Sequence, residues 1–184
     1  MQPEAREPDA IWVVSDVAPD GTYVTTVQAS DDVAVVLDRK RAMEYAMAVY
    51  TAVGYAEYDA AVFHQLVSLG ISHPNAAHCV GDLRADRAPL DDAATAPLRF
   101  VPLVTAAKHQ PAVYVEVNGR RISQWTTSDA RQHAGHVLDI CAAVDLDAAY
   151  RRYLRGPLRL DDGRARAVVG SLGEHRIGGS DDAA

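Results

Sequence analysis

The sequence predicts an α+β fold in which a β-β-β-α unit is internally duplicated. Its antiparallel sheet or sheets carry two long Ala-rich helices packed on one face. Three observations predict it. Residues 38–69 and 126–155 each read as one long amphipathic helix, the first stopped at Gly70 and the second at Gly156-Pro157. The two segments align without a gap, pairing Ala42 with Ala130, Ala46 with Ala134, Val49 with Val137, Asp59 with Asp147 and Leu66 with Leu154. Each helix follows β-rich segments separated by turn residues. Alanine is abundant enough to supply several of these matches by itself. The stronger argument is that strands, turns, helix cap, apolar seam and terminating glycine recur in one order.

Residues 1–10 are polar, hold two prolines and lack periodicity, which predicts a disordered tail. The first repeat, 11–70, opens with the apolar strand Ile11-Trp12-Val13-Val14 and a turn at Pro19-Asp20-Gly21. Two strands follow, over 23–28 and 33–37, both rich in β-branched residues. Asp38 stands where a helix N-cap belongs, able to accept from the first free backbone N–H groups. Along the helix Ala42, Ala46, Val49, Val53, Ala56, Ala60, Phe63 and Val67 fall at alternating four- and three-residue steps, and so share a face. That seam of small side chains suits a second helix at close range. Gly54 lies mid-helix and marks a kink or a tight crossing.

Residues 71–98, with three prolines and many turn formers, read as a surface connector with one helical turn. The second repeat, 99–156, begins with a strand over 99–104, where Pro102 lacks a ladder N–H and predicts an edge strand or a bulge. The hairpin 112–125 turns at Asn118-Gly119, a pair that readily supplies the two positive φ values of a type I′ turn. Thr126 and Asp129 are spaced as a variant capping box. The seam then returns as Ala130, Ala134, Val137, Cys141, Val144 and Ala148. A short C-terminal helix is expected within 157–176 and a disordered tail over 177–184. The aromatic residues Trp12, Tyr23, Phe100, Tyr114 and Trp125 are candidates for the sheet face away from the helices.

Composition narrows the function classes. Nearly half of the 184 residues are apolar and 23% are charged, as in an ordinary soluble globular protein. No apolar run approaches the ~20 residues of a membrane span, and the start shows no secretory pattern. Two cysteines make no disulfide framework, so a cytoplasmic setting is expected. Net charge is −7 but uneven: residues 1–98 hold 6 basic and 15 acidic side chains, residues 99–176 hold 12 and 8. This opposes gross nucleic-acid binding and leaves room for self-association between unlike halves.

Chemistry-bearing residues are few. His133 and His136, three apart on one helix, are a spacing that can present two imidazoles to a metal such as zinc, with His73, His78, Cys79 and His109 as possible further ligands. The first repeat has Tyr45 and Ala48 at the matching places, so the pair is not part of the repeated design. His133 borders the seam, where a histidine more often packs than ligates. Arg151, Arg152 and Arg155, with Arg120 and Arg121, form the densest basic patch, which is suited to phosphate. Cations in a last helical turn also complement the macrodipole. Asp59 and Asp147 are the ionisable pair that both repeats share, and Asp147 can pair with Arg151 one turn on. No convergent acid, base and nucleophile set stands out. The leading expectation is thus a non-enzymatic binding or interaction protein with no cofactor, homodimeric, with a protein or small-molecule partner. A nucleic-acid-associated regulator using the arginine patch and a metal-dependent enzyme centred on His133/His136 are the alternatives.

Overall fold

The computed structural model describes residues 11–18, 21–30, 33–87 and 95–177. The predicted tail 1–10 lies outside the described residues, as does all but the first residue of 177–184. In chain order the elements are β1 (Trp12–Val17), β2 (Tyr23–Ser30), β3 (Val33–Leu37), α1 (Arg39–Ser68) and α2 (His73–Ala85), then β4 (Leu98–Val104), β5 (Pro111–Val117), β6 (Arg120–Thr126), α3 (Thr127–Arg155) and α4 (Asp162–Ile177). The fold is α+β, and the β-β-β-α arrangement occurs twice. Each set of strands forms its own antiparallel sheet, ordered β1-β2-β3 and β4-β5-β6.

Local signals act where the sequence places them. The Asp38 carboxylate accepts from the Arg41 backbone N–H at 2.8 Å and starts α1. Thr126 and Asp129 cap each other reciprocally at the start of α3. Asn118 and Gly119 take φ values of 50° and 78°, and β5 and β6 pair directly across them. Pro102 lies on β4, an edge strand, where no outer neighbour asks for its missing N–H. Gly54 is exposed, and a side chain there would meet open space, so the tight crossing considered for it does not occur.

The central strands supply the inward faces. Val27, paired with Val13 and Val35, and Val115, paired with Phe100 and Ser123, are both fully buried. The seams of α1 and α3 are buried as spaced, Ala42, Ala46, Val49, Ala130, Ala134 and Val137 almost completely. The helices are exchanged between the sheets. α1 lies chiefly against β4 and β5, α3 lies against β1 and β2, and the two helices pack along one another. One continuous core results, from Val27 and Leu37 through both seams to Phe100 and Val115. Alanine seams suit this arrangement: they let two backbones approach while the larger valine, leucine and aromatic side chains fill the sheet sides.

Three expectations change. Residues 71–98 hold a 13-residue helix rather than a single turn. Pro74 sits in its first turn, where a missing N–H is no loss, and the remaining prolines follow the helix. The C-terminal helix is likewise longer than a short one and runs to Ile177. Phe100 and Trp125 face the core, not away from it, because they share the parity of Val115 and Val113. α2 and α4 occupy equivalent places. Ala76 and Val80 of α2 pack against Phe63 near the end of α1, while Ala165 and Val169 of α4 pack against Leu154 near the end of α3. The unit is therefore three strands, a long helix and a shorter helix folded back on its end. Among the described residues no helix is long and apolar enough to cross a membrane.

Candidate functional site

The fold creates a cavity at the same place in each half, between the last turns of a long helix and the first hairpin loop of the opposite sheet. The first is about 440 Å³ and is lined by Gly21, Thr22 and Tyr23 from the β1–β2 loop and by Arg151, Arg152 and Arg155 from α3. The second is about 340 Å³ and lies among Phe63 of α1, His73 and Arg84 of α2, and Val104 and His109 of the β4–β5 connection. The separation that relates Tyr45 to His133, 88 residues, also relates Phe63 to Arg151, His64 to Arg152, Val67 to Arg155 and Gly21 to His109. Gly21 and His109 both hold a left-handed backbone, with φ of 83° and 52°. Two of these pairs, Phe63 with Arg151 and His109 with Gly21, line the two cavities, and their chemistry differs.

In the first cavity Arg151 is only 12% exposed. It donates to the Gly21 carbonyl at 2.8 Å and to the Asp162 carboxylate at 2.6 Å. A side chain at residue 21 would be strained at that φ and would sit 3.7 Å from the guanidinium groups of Arg151 and Arg166. Asp162 also takes Arg166 at 2.8 Å and Arg155 at 3.4 Å. The hydrogen bond from Arg151 holds the Asp162 carboxyl below the usual carboxylate range, and the same bond raises Arg151. Three arginines thus share one carboxylate and Arg152 lines the same cavity, so the cavity mouth is positive and Arg151 and Arg155 are held in place before any ligand arrives.

The remaining arginines of the basic patch are elsewhere. Arg120 and Arg121 lie at the β5–β6 hairpin, Arg121 over the Tyr114 ring at 4.1 Å and 3.6 Å from Glu116. Neither lines the arginine cavity.

The structure places His133 in the core beside Tyr45, whose hydroxyl lies 3.0 Å from Nε2, and 4.7 Å from the Trp125 ring. Burial first, and the neighbouring His136 second, lower the His133 pKa to about 4. His136 is exposed on the same helix. Among the described residues no three His, Cys, Asp or Glu side chains gather where a metal could be held. Cys141 is buried in the seam, which raises its thiol pKa, and Cys79 is exposed on α2.

Both shared aspartates are buried, Asp59 at 1% exposure and Asp147 at 6%. Asp59 is bound by Arg84 of α2 and by Arg87 just past its end, which ties that helix to α1. Arg87 in turn lies over the rings of Tyr55 and Tyr58. Arg151 reaches across to Asp162 of α4 and to the Gly21 carbonyl. Sequence reasoning missed Arg84 because its partner Asp59 is 25 residues away, and Asp162 because its partner Arg151 lies on another helix. Arg84 and Arg87, three residues apart, together with an Asp59 that has Phe63 rather than a cation one turn on, were the one available signal. The chain matches no protein-family model, no curated protein and no solved structure.

Proposed function

We propose that this chain is a binding protein without catalytic activity, whose ligand is a small phosphate-bearing anion held in the arginine cavity. One observation carries the reading: Arg151, Arg152 and Arg155 converge on a cavity of about 440 Å³ with Asp162 fixing two of them. Guanidinium groups match phosphate oxygens in paired hydrogen bonds, and preset geometry lowers the ordering cost of binding. Arg120 and Arg121 lie outside the cavity and the chain is acidic overall, which favours a compact anion over a nucleic-acid backbone.

Calorimetric titration with inorganic pyrophosphate tests it. Saturable binding is expected, weakened about tenfold or more by Arg152→Gln with Arg155→Gln. These are better probes than Arg151, which holds the β1–β2 loop. No binding up to millimolar pyrophosphate sinks the proposal. Retention of duplex DNA that disappears in Arg120→Gln/Arg121→Gln would replace it with the nucleic-acid reading.

The same reading includes a homodimer in the cytoplasm. An exposed free Cys79 suits a reducing compartment. On the outward face of the first sheet Val14 and Val36 are 44% and 50% exposed on either side of Thr26, with Trp12 in the next row. Such a face favours a partner, and unlike charge on the two halves favours antiparallel pairing. Light scattering at micromolar concentration is expected to report twice the 19.8 kDa chain mass. A monomer mass that persists on concentration overturns the dimer.

A further inference from the structure

We infer that the second cavity is a binding site for a small flat aromatic carboxylate, distinct from the arginine site and independent of it. Its walls are rings. Phe63 and His109 stack at 4.5 Å with 25° between planes, and His73 lies 5.1 Å from His109 and 5.7 Å from Phe63. Val80 and Val104 complete an apolar lining. A flat aromatic body gains most from such walls, by area burial and by offset or edge contacts between rings.

The polar feature is Arg84. Its Nε is committed to Asp59, which is buried at 1% exposure, and the same side chain borders the cavity while remaining 34% exposed. Asp59 is matched by two arginines, so the group carries one surplus positive charge. Arg87 lies over two tyrosine rings, which leaves Arg84 as the cation at the cavity. One carboxylate on the ligand answers one guanidinium held in place from below. The arginine cavity, lined by Arg151, Arg152 and Arg155, suits a more highly charged anion.

The site is formed without a ligand. The His109 N–H donates to the Thr105 carbonyl at 2.8 Å, the Thr105 and Gln110 backbones close the loop at 2.9 Å, and the His109 carbonyl lies 3.0 Å from His64 Nε2. The volume of about 340 Å³ falls in the range of small-molecule sites. The cavity in the other half uses the equivalents of Phe63 and His109, namely Arg151 and Gly21, and the residues lining each set what each takes.

Titration of the full chain with 1-naphthoate, followed by calorimetry, tests this site. Saturable binding is expected, about tenfold or more weaker for the uncharged naphthalene-1-carboxamide. Arg84→Gln should reduce naphthoate binding by a similar factor. Because Arg84 also holds Asp59, a second variant, Ala77→Phe, fills the cavity from an exposed helix position and should abolish binding while leaving the fold intact. Arg152→Gln/Arg155→Gln should bind naphthoate normally, so failure at one site is distinguishable from failure at the other. The inference is overturned by absence of binding to millimolar naphthoate, by equal affinity for the amide, or by binding that survives Ala77→Phe. Zn²⁺ taken up in a manner abolished by His73→Ala, with naphthoate left unbound, would overturn it in favour of a metal site.

Discussion

Tyr45 of α1 and His133 of α3, 88 residues apart, meet each other between the two long helices. They bond as hydroxyl and imidazole. Burial holds the Tyr45 hydroxyl protonated and lowers His133 to about 4 from an ordinary 6.5. The folded chain thus takes up the His133 proton less readily than the unfolded chain. Above about pH 6.5 neither state is protonated and the fold has its full stability; as pH falls toward 4 the unfolded state gains the proton first and stability declines. The loss is at most roughly 3 kcal/mol. Urea unfolding at pH 7 and pH 4.5 should show this decline, and His133→Gln should reduce it. Equal declines in both proteins would remove His133 as the cause.

At the scale of elements, what was legible tracks how local the determinant is. α1 and α3 were readable because Asp38, Thr126 and Asp129 announce their starts, and because eight and six seam residues recur at helical spacing. The β5–β6 hairpin was readable because Asn118 and Gly119 tolerate positive φ. α2 and α4 were not. Among the residues whose burial is described, each buries two of its own, Ala76 and Val80 or Ala165 and Val169, so the apolar pattern is too sparse to distinguish a helix from a connector. Their placement depends instead on long-range ion pairs, Asp59 with Arg84 and Arg87, and Asp162 with Arg151. Removing the buried Asp59 leaves two guanidinium groups without their carboxylate, a disruption of about 3–5 kcal/mol. Both cavities depend on these pairs, which is why the three cavity arginines were visible in sequence as a basic patch while the cavities were not.

At the scale of the whole molecule, the exchange of helices between sheets decides how the fold holds together. Val49 and Val53 of α1 belong to the same core as Val113 and Val115, and Val137 of α3 to the same core as Val27. Neither half can bury its own seam. Residues 11–87 and 95–177 made as separate chains should therefore show no cooperative thermal transition alone, and should recover helical circular dichroism and a single transition when mixed. A cooperative transition in either isolated half would contradict shared stability. The exchange also bears on biosynthesis. The ribosome delivers α1 well before β4 and β5, so a nascent chain carries an uncovered helix face until the second sheet emerges. On a polysome the competing cover is the second half of a chain further along the same message, and exchange of halves between neighbours is the misassembly this topology invites.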